Sequence, residues 1–335
     1  MDFIETIKQR AKQDKKTIVL PEAEDIRTLK ATEIALKEKY ANIILIGNEK
    51  NIKEKAKENN INIKETTIID PTTDPNNKKY IKLLYELRKH KGMTQEQAKQ
   101  IALDPVYYGM LMVKDEETKA DGLVSGAIHS TADTLRPALQ ILKTAPDTKL
   151  VSAFFIMVVP NCEYGSNGTF IFGDAGLNAN PNPDELSEIA ISSSKSFKQL
   201  VGEEPKVAML SYSTYGSAHS ASTEKVVEAT KLAKEKAPEL LIDGELQLDA
   251  AIIPEVAEFK AKGSPLKGEA NVLVFPDLGA GNIGYKLTQR LAKAEAYGPL
   301  CQGIARPVND LSRGCSSEDV AGVVAITAVQ AQSQG

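Results

Sequence analysis

The 335-residue sequence predicts an α/β protein made of two α/β domains with a cleft between them. Short apolar segments alternate with amphipathic ones in the first part of the chain, which is typical of a parallel sheet covered by helices. Further on, the near-continuous apolar run LVSAFFIMVV (150–159) is expected of a central strand that is covered on both faces. The chain is also long enough to form two hydrophobic cores.

In the first domain, the alternation predicts three strands. They lie in TIVLPEAED (17–25), where the strand ends in acidic loop residues, in ANIILIG (41–47) and in TTIID (66–70). Helices are predicted over 2–14 and 25–39 and over the polar segment 48–60. Residues 76–113 are predicted to be helical, with Gly92 of LRKHKG ending a helix. The segment 120–139 then predicts a strand, a glycine-containing turn and a helix with Pro137 inside it.

In the second domain, GTFIFGD (168–174) is predicted to form a hairpin with the run at 150–159. A long helix with a proline near its start follows at 181–202. The remaining elements predicted from apolar runs and helical spacing are strands at 206–212, 240–246 and 270–275, and helices at about 222–237 and 283–294. After the return to the first domain, a strand at 299–305 is predicted to deliver the chain to the polar loop that follows it.

Composition limits the possible partners and compartment. The formal net charge of −4 argues against a nucleic-acid binder that relies on a global positive field, so anionic ligands must be captured by local arginines. Three cysteines, Cys162, Cys301 and Cys315, do not resemble a disulfide framework or a zinc site. The start has no signal-peptide core, and no apolar run reaches the roughly 20 residues that cross a bilayer. We therefore expect a cytoplasmic protein without a membrane partner.

The segment RPVNDLSRGCSSEDVAGVVA (306–325) is a polar loop that runs into a helix. Ser316 is predicted to be the N-cap, with Asp319 three positions later. A helix N-terminus favours anions, and the guanidinium of Arg313 suits a phosphate. Asp319 can accept a proton, and Ser312 can hold a reacting atom by a hydrogen bond. Each of these residues taken alone also fits a structural role, as a cap, a surface charge or a turn residue.

Arg136 and His129 are further candidates. Arg136 is predicted near the N-terminal end of its helix, where a cation is unfavourable unless an anionic ligand binds there. His129 can carry a proton, although a structural histidine is the better interpretation. Cys315 lies in the polar loop before the last helix, but no histidine is near it in the sequence to activate its thiol.

The segment NVLVFPDLGAGNIGYK contains Gly279-x-Gly281-x-x-Gly284, the spacing of a dinucleotide-binding turn. Pro276-Asp277 interrupts the pattern, and the next strand does not end in an acid. We instead expect Gly281 to let the backbone approach a ligand and Asn282 to orient it. The acidic loops PEAED and FGDAG do not complete a metal-ligand set.

Several long segments carry a resemblance to a known family: PVNDLSRGCSSEDV (307–320), SGAIHSTADTLRPALQ (125–140), LRKHKG (87–92), FGDAGLNANP (172–181), MLSYSTYGSA (209–218) and FPDLGAGNIGYKL (275–287). The chain resembles the phosphate acetyltransferases, in the short form without extra N-terminal regulatory segments. That family moves acetyl between coenzyme A and inorganic phosphate, and its fold resembles that of the isocitrate and isopropylmalate dehydrogenases. The resemblance implies a discontinuous first domain, 1–145 plus 297–335, and a second domain at 146–296.

The resemblance also implies roles for particular residues. Asp319 is the base toward the coenzyme A thiol, Ser312 lies beside the sulfur, and Arg313 binds the phosphate or the acyl oxygen. Other residues expected to bind substrate are Arg88 and Arg136, which serve coenzyme A and its 3′-phosphate, together with Ser130, Thr131, Asn282 and Gly281. Acetyl-CoA, coenzyme A, phosphate and acetyl phosphate are the expected small-molecule partners. We expect a homodimer, a direct ternary mechanism, a pathway link to acetate kinase, no permanent cofactor and no catalytic divalent metal.

Four alternatives stay open from the sequence. Phosphate butyryltransferase differs in the acyl pocket and not in the chemistry. A covalent route would use Ser312 or Cys315 as nucleophile. A metal- and nicotinamide-dependent decarboxylating dehydrogenase and a non-catalytic anion-binding protein belong to other functional classes.

Overall fold

A computed structural model describes residues 3–146 and 148–333. The chain divides into two compact units, the first formed by residues up to 146 together with those from 304 onward, and the second by the residues between them. The boundaries expected from the sequence were about 145 and 297. The structure places the return to the first unit later because the strand at 295–302 pairs with a strand of the second unit, Ser152–Val158.

The first unit contains a five-stranded parallel sheet. Its strands are β1 (Lys16–Leu20), β2 (Ala41–Ile46), β3 (Thr67–Ile69), β4 (Gly122–Ser125) and β11 (Val308–Asp310). They lie in the order β11-β4-β1-β2-β3. The prediction of a parallel sheet covered by helices is therefore confirmed. The last strand, β11, lies next to β4, so the loop that follows each of them leaves from the same edge of the sheet.

Helices cover this sheet on both faces. They are α1 (Phe3–Gln13), α2 (Ile26–Glu38), α3 (Glu49–Glu58), α4 (Asn77–Arg88), α5 (Gln95–Ile101), α6 (Pro105–Lys114), α7 (Thr131–Ile141) and α13 (Ser317–Gln332). The predicted helix over 2–14 is α1, and its first predicted residue lies outside the described residues. Gly92, in the left-handed region at φ 85°, ends a short 3-10 turn after α4, as predicted.

Close backbone packing fixes the two layers. A Cβ on Gly109 of α6 would lie 2.7 Å from Leu123 Cδ1 and 3.0 Å from Val19 Cγ1, so α6 sits directly on β4 and β1. Gly122 faces the other way, where a Cβ would lie 2.8 Å from Thr327 Cγ2 of α13. Nearly every residue of α13 after its first turn is buried, as expected of a helix that is apolar on all sides.

The second unit contains a six-stranded mixed sheet in the order β10-β5-β6-β9-β7-β8. Its strands are β5 (Ser152–Val158), β6 (Thr169–Gly173), β7 (Lys206–Leu210), β8 (Leu241–Leu246), β9 (Val272–Val274) and β10 (Glu295–Gln302). The predicted hairpin between the apolar run and 168–174 is confirmed, because β5 and β6 pair antiparallel. Its helices are α8 (Pro183–Leu200), α9 (Ala221–Lys236), α10 (Leu248–Ile252), α11 (Pro254–Lys260) and α12 (Leu278–Leu291).

Within residues 3–146 and 148–333, none of the helices combines the length and apolar character needed to cross a membrane.

Candidate active site

The loop between β11 and α13 (311–316), called the active loop below, enters α13 through a complete capping box, as the sequence predicts. Ser316 Oγ accepts the Asp319 N–H at 3.0 Å, and Asp319 Oδ2 accepts the Ser316 N–H at 2.8 Å. Asp319 is exposed, and only one of its two carboxylate oxygens is used by the cap. The second oxygen is therefore available to a ligand, so capping and proton transfer are compatible roles for this side chain.

Arg27, which was not predicted as a site residue, connects the active loop to the turn after β4 by hydrogen bonds. Its Nη1 donates to the carbonyl oxygens of Arg313 at 2.7 Å and Cys315 at 3.3 Å. Its Nη2 donates to the carbonyl oxygen of Ala127 at 2.8 Å. Asp25 holds the guanidinium in place from the other side, and this pairing lowers the pKa of the Asp25 carboxyl. The two loops are thus joined by one side chain that is distant in sequence from both.

Glu22 is a second residue that the sequence did not single out. Its carboxylate is buried and accepts the backbone N–H groups of residues 126–129 at 2.8–3.1 Å. His129 Nδ1 lies 2.8 Å from the same carboxylate. Burial alone would raise the pKa of Glu22, but the hydrogen bonds from His129, Ile128 and Ala127 outweigh it and lower the pKa. A buried anion therefore shapes the turn that faces the active loop.

Ser312 and Arg313 are both exposed at the tip of the active loop. Arg313 Nη1 donates to the carbonyl oxygen of His129 at a long 3.4 Å, and within the described residues the other donors of this guanidinium have no partner. Ser312 Oγ accepts the Gly314 N–H at 3.3 Å. In the described residues no imidazole or carboxylate bonds to that hydroxyl, so Ser312 lacks the adjacent base of an activated nucleophile.

Cys315, in the same loop as Ser312 and Arg313, is a free thiol. It is buried, and burial raises the pKa of the thiol, while the nearby charge of Arg27 acts in the opposite direction. A reactive cysteine needs a lowered pKa and access to solvent. The environment of Cys315 is that of a structural thiol.

The N-terminus of α7 carries two of the residues predicted to bind substrate. Ser130 is the N-cap and shares a capping box with Asp133. Thr131 Oγ1 donates to Oδ2 of the buried Asp310 at 2.6 Å. Both hydroxyls therefore have protein partners, and Thr131 links α7 to the end of β11 just before the active loop.

Arg88 and Arg136 both act electrostatically on one tyrosine. Burial raises the pKa of Tyr107, and the positive charges of Arg136 and Arg88 act in the opposite direction. Arg88 Nε is buried without a hydrogen-bond partner in the described residues. A buried donor that lacks a partner within the protein is suited to an anionic ligand.

One sequence argument about Arg136 is wrong. Arg136 is the sixth residue of α7, and the helix dipole acts on charges within the first turn. The predicted conflict between its charge and the helix N-terminus is therefore weak. The case for an anion in this part of the molecule rests instead on the unpartnered Nε of Arg88 and on the influence of both arginines on the pKa of Tyr107.

Gly281 and Asn282 lie in α12 of the second unit. A Cβ on Gly281 would lie 2.4 Å from the Asp174 carbonyl oxygen, and Asn282 Nδ2 donates to the Ala175 carbonyl oxygen at 3.4 Å. Their observed contacts thus pack α12 on the loop after β6. The glycines of the dinucleotide-like spacing lie inside this helix and not in a turn before it.

Comparison with known proteins places this arrangement in a family. A family model described as "Phosphate acetyl/butaryl transferase" matches residues 2–328. A phosphate acetyltransferase of Acetivibrio thermocellus is 65% identical over 332 residues, which cover 99% of each chain. The EutD phosphotransacetylase from Staphylococcus aureus superposes with a TM-score of 0.90 at 46% identity, covering 98% of each chain.

The family model and the relatives identify an acyltransferase with an α/β fold. The chain belongs to the phosphate acetyl/butaryl transferase family. A putative 4-hydroxythreonine-4-phosphate dehydrogenase from Salmonella typhimurium shares the fold at a TM-score of 0.53 and 12% identity, covering 94% of this chain and 99% of the other. The predicted likeness to a dehydrogenase fold is thereby confirmed at the level of the fold.

Proposed function

We propose that the protein transfers acetyl reversibly between coenzyme A and inorganic phosphate. The observation that carries this proposal is the entrance of α13, where Ser312 and Arg313 of the loop and Asp319 in the first turn of the helix are all exposed. Arg27 bonds to both that loop and the turn after β4, and Glu22 binds the backbone of that turn. Acetyl transfer to a thiol needs a base for the thiol, an anion site and help for the oxyanion, and these groups supply all three.

In this proposal Asp319 takes the proton of the coenzyme A thiol as the sulfur attacks acetyl phosphate. Ser312 donates a hydrogen bond to the sulfur, and Arg313 binds the phosphate or the acyl oxygen. The absence of a base beside Ser312 and the raised pKa of the Cys315 thiol support direct transfer in a ternary complex over an acetyl-enzyme. No metal or permanent cofactor is required by these steps.

Arg88 and Arg136 are proposed to hold coenzyme A, with Arg136 at its 3′-phosphate. The buried Nε of Arg88, which has no partner in the described residues, supports an anionic ligand there. Ser130 and Thr131 contribute through the N-terminal turn of α7, and Gly281 and Asn282 remain part of the proposed substrate-binding set.

The test is thioester formation from coenzyme A with acetyl, propionyl and butyryl phosphate, followed by ultraviolet absorbance. We expect the highest kcat/KM with acetyl phosphate. A preference for butyryl phosphate would assign the sister activity in the same family. Failure to form a thioester from any of the three would overturn the proposal.

We also propose a cytoplasmic homodimer whose acetyl phosphate is shared with acetate kinase. An apolar stripe on α12, formed by Ile283, Leu287 and Leu291, is 61%, 53% and 78% exposed and is the surface to test first. Light scattering should give twice the mass of one chain, and Leu291→Glu should lower it. An unchanged dimer in the variant would move the interface elsewhere, and a wild-type monomer would overturn the homodimer.

A further inference from the structure

Acetyl transfer to phosphate requires two proton movements at two different places. When hydrogen phosphate attacks an acetyl thioester, a C–O bond forms, the C–S bond breaks, and the products are acetyl phosphate and a thiol. The proton carried by the phosphate must leave it, and a proton must reach the sulfur. The proposed role of Asp319 accounts for the sulfur. It leaves open which group receives the proton of the phosphate.

His129 has the geometry of an oriented base. Its backbone N–H and its Nδ1 lie 2.9 Å and 2.8 Å from the same oxygen of Glu22, which is only 3% exposed. A carboxylate accepts hydrogen bonds, so Nδ1 carries the hydrogen in the neutral imidazole and Nε2 keeps its lone pair. This arrangement of carboxylate, imidazole and substrate is the one that orients a general base.

His129 and Arg313 are neighbours across the two loops. The His129 ring is 27% exposed, and among the described residues Nε2 has no hydrogen-bond partner. The backbone carbonyl oxygen of His129 accepts from Arg313 Nη1 at 3.4 Å. A phosphate held by Arg313 would therefore bind next to a residue whose Nε2 can accept its proton.

We propose that His129 is a catalytic residue of the phosphate half-reaction. Its Nε2 accepts the proton of hydrogen phosphate as a phosphate oxygen attacks the thioester carbon, and it returns a proton to the departing phosphate in the opposite direction. Asp319 serves the sulfur, so each end of the reaction has its own acid–base group. Glu22 acts as a positioning residue. This inference rests on the proposed acetyltransferase function.

The charges that face His129 come from four elements. Glu22 follows β1 and is in direct contact, and Asp133 in the first turn of α7 is close enough to be influenced by its charge. Arg313 of the active loop and Arg27 of α2 approach the same turn through the carbonyl oxygens of His129 and Ala127. Glu22 is thus the charged group in direct contact with the ring, and the two arginines contact the backbone of the same turn.

Two substitutions separate the catalytic role from a structural one. His129→Asn places an amide nitrogen near the position of Nδ1, so it keeps the donor to Glu22 and removes Nε2. His129→Gln places its amide near Nε2 and removes the donor. If His129 is the base, both variants should lower kcat with phosphate by roughly 10²–10⁴-fold. If it only holds the turn, His129→Asn should keep kcat near the wild-type value, and that result would overturn the proposal.

His219→Asn is the matched control, because His219 lies in the second unit before α9 and is not bonded to a buried carboxylate. Its kcat should equal that of the wild type.

The tautomer of His129 can be measured without turnover. In nitrogen-15-labelled protein, the signals absent from His129→Asn identify the residue, and we expect the hydrogen on Nδ1 and a lone pair on Nε2. Glu22→Gln should weaken that preference. The opposite tautomer in the wild type would refute the inference even if thioester formation is observed. Conversely, failure of the wild type to form a thioester would refute the proposed function, while the tautomer would still be readable.

Discussion

Substituting Asp319 by asparagine separates its two possible roles, because asparagine keeps the cap and loses the base. The amide oxygen of asparagine can still accept the Ser316 N–H that Asp319 Oδ2 now accepts at 2.8 Å. What the helix loses is the interaction of a negative charge with its N-terminus, about 0.3–1 kcal/mol. Loss of a general base should instead lower kcat by roughly 10²–10⁴-fold, which corresponds to about 2.7–5.4 kcal/mol of activation free energy. The KM values should change little.

Glu185→Gln is the matched control. Glu185 occupies the same third position in the capping box of α8, where its Oε2 accepts the Asn182 N–H at 2.8 Å. The two variants should show similar small shifts in melting temperature, and only Asp319→Asn should lose activity in the thioester assay. If Asp319→Asn kept most of its kcat while its melting temperature fell, Asp319 would be a cap and the proposed base would be elsewhere.

Three further predictions concern other residues of the site. Ser312→Ala should reduce activity without abolishing it, and wild-type protein quenched after mixing with acetyl phosphate should show no added acetyl mass on Ser312; an adduct there would establish a covalent route. Arg136→Gln should raise the KM for coenzyme A by about 10- to 150-fold, which is equivalent to a charged hydrogen bond of roughly 1.5–3 kcal/mol. Dephospho-coenzyme A lacks the 3′-phosphate, so its KM should already be high with the wild type and should rise almost no further in the variant. An equal effect on both ligands would remove Arg136 from that phosphate. Because the pKa of Glu22 is lowered in the folded protein, its contribution to stability is present above about pH 4.5 and is lost as the pH falls through the folded value. The difference in melting temperature between wild type and Glu22→Gln should therefore be constant above about pH 4.5 and shrink as the pH falls below it, and a difference that stays constant in acid would contradict the assigned environment.

Local patterns predicted the parts of the molecule that are determined locally. The capping box of Ser316 and Asp319 spans four residues, and the hairpin of β5 and β6 joins neighbouring apolar runs. Both the capping box and the hairpin could therefore be predicted from the sequence. The position of Arg136 within α7 shows the limit of that approach, because the exact start of a helix decides how strongly its dipole acts.

Arg27 and Glu22, which connect the loops of the site, could not be predicted from local patterns, because their partners are distant in the chain. Arg27 bonds to carbonyl oxygens 286 and 288 positions away, and Glu22 binds a turn more than 100 positions away. The sequence does carry one signal, the three acids of PEAED directly after β1, which do not complete a metal-ligand set. A carboxylate at the carboxyl end of a parallel strand can instead bind the backbone of the neighbouring turn, here the turn after β4.

The central claim is that acetyl passes directly from phosphate to sulfur at the loop before α13. Exchange of radiolabelled phosphate into acetyl phosphate, measured with and without coenzyme A, tests this most directly. A ternary mechanism predicts exchange only when coenzyme A is present, because no acetyl-enzyme forms in its absence. Exchange without coenzyme A would show that the protein itself accepts the acetyl group, and direct transfer would be contradicted.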